Sequence, residues 1–116
     1  MRVGIDSVEI VRIEKSLERH GFKERVFSAA EIEYLDKKGA KAQSYAANFA
    51  AKEAFSKALG TGMRWISWTD ISILRDDLGA PYLELTGSAL ETAKGLSFTV
   101  SLTHTQTTAT AIVIAY

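Results

Sequence analysis

The chain has 116 residues, enough for one domain with a real core and too few for two. Hydrophobic residues make up 47% and charged residues 24%, which excludes a disordered chain, and 14 basic residues balance 14 acidic ones, so no global field favours nucleic acid. Without cysteine there is no disulfide framework, thiolate metal site or cysteine nucleophile, which fits a cytoplasmic protein.

No apolar stretch approaches the roughly 18 residues of a membrane-spanning helix. The N-terminal MRVGIDSVEIVRIEK carries a charge every few positions where a signal peptide would be apolar. An unprocessed chain with no membrane partner is therefore expected. One proline, Pro81, and eight glycines are scattered without a linker or repeat, so residues 1–116 are expected to form a single domain.

Residues 2–10 read as a strand, with Val3, Ile5, Val8 and Ile10 supplying branched apolar side chains. The period then changes to helical over 11–20, where Ile10, Ile13 and Leu17 share a face and Gly21 is the stop. Ser28 with Glu31 three residues on is a capping-box pattern, opening a short helix around Ile32 and Leu35 that Gly39 ends. A long helix is predicted over 42–59, stopped by Gly60-Thr61-Gly62. Strands are predicted at 65–74 and 82–86, joined by a turn over Asp76-Asp77-Leu78-Gly79. A short helix at 88–93 and strands at 98–103 and 108–115 complete the chain. That order implies an α+β fold, with helices packed on a mostly antiparallel sheet.

The long helix, AQSYAANFAAKEAFSKAL, is apolar or small around most of its circumference, the mark of a helix buried between other elements. Its three charges, Lys52, Glu53 and Lys57, fall within two turns, and charge on a buried helix is costly unless paired or liganded. A Glu53–Lys57 pair emerging at the surface is one reading. Asp6 is a second signal: a poor strand former that alternation places on the same side as Val8. It either bonds a nearby backbone end or ligates a metal. Asp6 and Glu53 together could hold one Mg²⁺, which takes one or two carboxylates and completes its shell with water and phosphate. His104, between Thr103 and Thr105 at a strand end, is either a hydrogen-bonded turn residue or a phosphate or acid–base group. His20 sits at a helix end, where it would interact with the dipole. On the first helix Arg12, Lys15 and Arg19 form a basic stripe, with Glu14 and Glu18 on another face; it is either a solvated face or a dock for an acidic partner.

Three segments together resemble one family. GIDSVEI, FAAKEAFSKALGTG and SLTHT are similar, in order and spacing, to holo-[acyl-carrier-protein] synthases, the small bacterial type of 4′-phosphopantetheinyl transferase, and the likeness spans nearly the whole chain. FAAKEAFSKALGTG is the specific signature; SLTHT alone would be weak. The resemblance implies that fold, and Mg²⁺-dependent transfer of phosphopantetheine from coenzyme A to a serine of an apo acyl carrier protein for fatty acid biosynthesis. Adenosine 3′,5′-bisphosphate would be the by-product. It implies Asp6 and Glu53 as metal ligands and, with Lys57, as the catalytic group. It further implies contacts to coenzyme A by Asn48, Lys57, Gly79, Pro81, His104 and Thr105, and contacts to the carrier protein by Arg12, Lys15 and Arg19. A homotrimer with active sites between subunits is implied as well.

The chemistry suits those roles. Attack of the serine hydroxyl on the β-phosphorus builds charge on the pyrophosphate oxygens, and a cation with Lys57 beside it stabilises that charge. Glu53 and a metal-bound water are both open as acceptors of the serine proton. The chain departs from the family at two places: Asn48 where many members carry Arg or Lys, and Gly79-Ala80-Pro81 where a Gly-Lys-Pro turn is common. Neutral side chains there cannot make a charge-assisted bond to the 3′-phosphate, so weaker dependence on that phosphate is expected. A carrier-binding module without turnover is the main competing reading, and three charged groups in apolar segments argue against it. Another Mg²⁺-dependent phosphate-transfer enzyme is poorer, because no G-x-x-x-x-G-K-[ST] loop occurs.

Overall fold

The computed structural model describes residues 1–37, 39 and 42–116. The chain runs β1 (Arg2–Glu9), α1 (Ile10–Leu17), α2 (Phe22–Val26), α3 (Ala29–Lys37), α4 (Ala42–Leu59), a 3₁₀ turn (Trp68–Asp70), β2 (Ile71–Arg75), β3 (Pro81–Leu85), α5 (Gly87–Thr92), β4 (Phe98–His104) and β5 (Thr108–Ala115). The last strand is the centre of a sheet ordered β1-β5-β4, while β2 and β3 form a separate hairpin; every ladder is antiparallel. Helices thus pack on antiparallel sheets, as the element order implies.

α4 is the spine. It packs against β1 and β5 on one side and touches α1, β2 and β4 elsewhere. Its composition is the cause. Ala46, Ala47, Ala50, Ala51, Ala54 and Ala58 are buried against β-face residues as small as Gly4, Ala109 and Ala111, so helix and sheet approach closely. Gly4 sets the limit, since a Cβ there would lie 2.6 Å from the Ala58 nitrogen and closer still to the Ala54 carbonyl oxygen. Phe27, Tyr45 and Phe55, all nearly or wholly buried, fill the remaining volume, each side chain contributing about 1.5–3 kcal/mol by burial.

Lys52 and Glu31 are wholly buried and paired at 2.6 Å. The Lys52 ammonium also donates to the carbonyls of Val26 (2.6 Å) and Trp68 (3.0 Å). Glu31 accepts from the backbone N–H of Ser28 (2.9 Å) and of Ile73 (3.2 Å) and from the Asn48 amide (2.9 Å). The Ser28 hydroxyl accepts from the Glu31 N–H at 3.2 Å, so the predicted capping box is present, and its carboxylate has been drawn into the core as well. Burial pushes the Lys52 ammonium below its ordinary range, with Glu31 opposing.

Differences from the predicted elements are local. α1 ends at Leu17, and Gly21, at φ +81°, turns the chain into a further helix, α2, that the periodicity does not reveal because it is only five residues long. The strand expected from residue 65 begins at Ile71. Trp65 sits in the left-handed region at φ 67°, which no strand tolerates, and Asp70 is committed elsewhere: its carboxylate accepts from the Ser88 N–H and hydroxyl at the start of α5. Among the described residues no helix is long and apolar enough to cross a membrane.

Candidate active site

Period-2 alternation puts Asp6 on the helix-facing side of β1, between buried Gly4 and Val8, where it meets the C-terminal half of α4. There the Lys57 ammonium donates to the Asp6 carboxylate (3.1 Å) and to the Ile5 carbonyl (3.0 Å). The ion pair therefore bridges strand and helix; among the described residues Lys57 makes none with Glu53. The Glu53 carboxylate is half-buried and makes no hydrogen bond or ion pair with a described residue. Burial raises its pKa first and the neighbouring Asp6 charge raises it further, while Lys57 and Arg12 oppose both. Two carboxylates thus repel across a gap with a lysine on one side. That donor set fits Mg²⁺: a cation beside both carboxylates reverses the repulsion, and two protein ligands leave the other positions to water and phosphate. Among the described residues no cluster of three or more His, Asp or Glu offers an all-protein cage.

A second concavity, of about 330 Å³, opens near the N-terminal half of α4. Gly79, Pro81 and His104, expected at one ligand, all line it, together with Ser44, Thr103 and Arg75. The His104 Nδ1 lies 3.1 Å from the Thr105 carbonyl. The Thr105 hydroxyl accepts from the N–H groups of Thr107 (3.2 Å) and Thr108 (3.1 Å), tying the β4–β5 turn. Asn48 stands differently from expectation: it is wholly buried, its amide donating to Glu31 and to the Ile73 carbonyl (3.1 Å) while its oxygen accepts from Arg75 (3.2 Å). It presents no atom to a ligand. Arg75 is the charged pocket residue that sequence reasoning missed. The available signal was alternation, because Ile71, Ile73 and Arg75 share one face of β2, and a cation on an otherwise buried face wants a reason.

Arg12, Lys15 and Arg19 line one surface groove with Glu9, Val11 and Ser16, so the basic stripe is continuous. Arg12 lies over the Phe49 ring (5.8 Å to its centroid) and Arg19 over Phe22 (5.6 Å). Phe49 in turn stacks on Trp68 at 5.1 Å. Since Arg12 also bears electrostatically on Glu53, the basic row abuts the carboxylate pair.

Residues 2–113 match the model of the 4′-phosphopantetheinyl transferase superfamily. The chain belongs to that superfamily. A holo-[acyl-carrier-protein] synthase of Treponema denticola is 50% identical to it, the match covering 97% of this chain and 94% of the relative. The crystal structure of Helicobacter pylori holo-[acyl-carrier-protein] synthase in complex with coenzyme A superposes with a TM-score of 0.85 at 36% identity, covering 98% of this chain and 99% of that one. A Bacillus anthracis holo-(acyl-carrier-protein) synthase in complex with CoA (3′,5′-ADP) gives 0.83 at 35%, covering 98% and 94%. The α+β transferase fold expected from the motifs is therefore the fold of the chain.

Proposed function

We propose that this transferase moves the 4′-phosphopantetheine arm of coenzyme A onto a serine of an apo acyl carrier protein, in the cytoplasm and for fatty acid biosynthesis, releasing adenosine 3′,5′-bisphosphate. The observation that carries the reading is the convergence of Asp6, Glu53 and Lys57 from β1 and α4 in a chain of this superfamily. Coenzyme A complexes of relatives at about this fold similarity support the donor. The serine oxygen gives its proton to a base, for which Glu53 and a water are both open, and bonds to the β-phosphorus; the bond from that phosphorus to the bridging oxygen breaks, and the bisphosphate leaves with the electron pair. Asp6 and Glu53 would hold Mg²⁺, which when bound supplies positive charge where the pyrophosphate oxygens gain negative charge. Lys57, kept in place by the Asp6 carboxylate and the Ile5 carbonyl, offers its remaining proton to the same oxygens. Arg12, Lys15 and Arg19 favour an acidic carrier approaching beside the carboxylates.

Two features support the homotrimer with sites between subunits that the resemblance implies. Ala47 of the pocket and Lys57 of the carboxylate cluster are ten residues apart on α4, roughly 15 Å along the axis and about 80° around it. The 3′-phosphate and pyrophosphate of coenzyme A hang from one ribose, a shorter reach, so a cluster from one chain and a pocket from its neighbour suit the molecule better. The second feature is the outer face of the β1-β5-β4 sheet, where Val3 is 60%, Ile5 57% and Ile112 36% exposed. Such an apolar patch calls for a partner.

Intact-mass spectrometry of an apo acyl carrier protein incubated with the protein, coenzyme A and Mg²⁺ tests the reading. A gain of one phosphopantetheine, abolished by a chelator, is expected. Glu53→Gln should keep the fold and lose about 10²–10³ in rate; unchanged transfer in that variant would remove Glu53 from the metal site. No gain, with coenzyme A still bound, would mean a carrier-binding module instead.

A further inference from the structure

Lys52 and Glu31 are charged, wholly buried and unused by the transfer chemistry. The ammonium has three protons and three acceptors around it: the Glu31 carboxylate (2.6 Å) and the carbonyls of Val26 (2.6 Å) and Trp68 (3.0 Å). It also lies 5.2 Å from the centroid of the Phe27 ring. Glu31 takes further hydrogen bonds from the Ser28 and Ile73 N–H groups and from the Asn48 amide. One ion pair thereby ties α4 to α2, α3, β2 and the 3₁₀ turn. Stability alone does not call for it, because a buried pair replaced by apolar side chains of similar volume often leaves a protein as stable or more so.

What the pair adds is a fixed setting of α4. Glu53 follows Lys52 directly, about 100° around the helix. Its half-buried carboxylate has no hydrogen bond or ion pair with a described residue, so the helix backbone and its own rotamer place it. Asp6, by contrast, is held on β1 by Lys57 at 3.1 Å. Ala54, whose carbonyl meets Gly4 of β1, is about 200° around the axis from Lys52, so the sheet and the ion pair grip α4 from nearly opposite sides. A rotation or slide of α4 would carry Glu53 away from Asp6, and the ion pair opposes both.

We propose that Lys52, through its ion pair with Glu31, is the positioning residue that sets α4 so that the Glu53 carboxylate can share a cation with Asp6. The proposal rests on the Asp6–Glu53 reading above. It assigns the pair to geometry, not to stability, and the two can be separated.

Lys52→Met leaves the Glu31 carboxylate buried without its cation and should lower the melting temperature by about 10 °C or more. Lys52→Met combined with Glu31→Gln removes both charges at nearly constant volume and should bring it back to within about 5 °C of the native protein. Mn²⁺ is the probe: its affinity at saturating coenzyme A, with no carrier protein present, is read by electron paramagnetic resonance. Both variants should bind Mn²⁺ about 10- to 100-fold more weakly than the native protein, the usual loss when the support behind a metal ligand is removed. The Mg²⁺ concentration for half-maximal transfer should rise by the same factor. A merely structural role predicts instead that affinity returns with stability. Native Mn²⁺ affinity in the double variant therefore overturns the proposal while leaving the Asp6–Glu53 reading intact. A double variant that melts as low as Lys52→Met overturns it too, since the pair would then be a stability device. Glu53→Gln should lose the Mn²⁺ at an unchanged melting temperature; native uptake in that variant would take the cation away from Asp6 and Glu53, and both readings would fall.

Discussion

Tyr45 donates a 2.7 Å hydrogen bond to the Asp36 carboxylate, and Lys23 pairs with the same group at 3.0 Å. The Tyr45 bond is the main reason the Asp36 pKa lies below its ordinary value; Lys23 adds to it and burial opposes it. The fold therefore prefers the ionised carboxyl. Its contribution is complete above the unfolded value, about pH 4, and is lost as pH falls through the lower folded value. Tyr45→Phe should accordingly cost about 1 kcal/mol at pH 7, limited because the carboxylate is 45% exposed, and the difference in melting temperature from the native protein should shrink as the pH is taken below the ordinary carboxyl range. A gap that stays constant down to pH 2 would mean the phenol acts through packing alone. At this scale the sequence shows chemistry better than connections. Asp6, Glu53 and Lys52 are all visible as charges in apolar segments, but no local pattern names the partner of Lys52. Its partner, Glu31, had a sufficient local explanation as a capping-box acid, and nothing local says that one carboxylate serves both a helix start and a buried ammonium 21 residues on.

Elements are more legible than their neighbours because periodicity is a local property. α4 runs over the residues its composition predicts, ended by Gly60 at φ +81°. α2 and the 3₁₀ turn escaped because one helical turn carries no period, and the start of β2 was misplaced because the left-handed Trp65 lies in a sequence rich in strand formers. What no local pattern encodes is distance between elements, and here Gly4 decides it. A methyl group at that position must displace the α4 backbone, not a flexible side chain. Gly4→Ala should destabilise the protein by about 1–3 kcal/mol, the usual cost of overpacking. Because Asp6 is two residues on and its lysine is on the displaced helix, transfer should fall even at temperatures where the variant is fully folded. A circular dichroism melt alongside the transfer assay checks both. Lost stability with native kcat would show that the Asp6–Lys57 contact tolerates a shift of the helix.

At the scale of the whole molecule, the two faces of the β1-β5-β4 sheet divide small residues from branched ones for one reason. Alternation gives α4 the small residues Gly4, Ala109, Ala111 and Ala115, and leaves Val3, Ile5, Ile112 and Ile114 pointing away from it. A monomer would expose that apolar patch to water beside the hydroxyls of Ser7, Ser101 and Thr110 on the same face. Ile112 lies on the central strand, opposite Ile5 and Ser101, on the face away from Asp6. Ile112→Lys therefore changes the outer face without touching the carboxylate cluster or the core. In the proposed trimer it would bury like charges against one another, so native mass spectrometry should shift from three chains to one while the far-ultraviolet spectrum is kept. Since in the proposed trimer the pocket of one chain serves the Asp6 cluster of its neighbour, transfer should be lost together with the assembly. A variant that is monomeric and fully active would place the whole site within one chain, and the apolar face would then need a different partner.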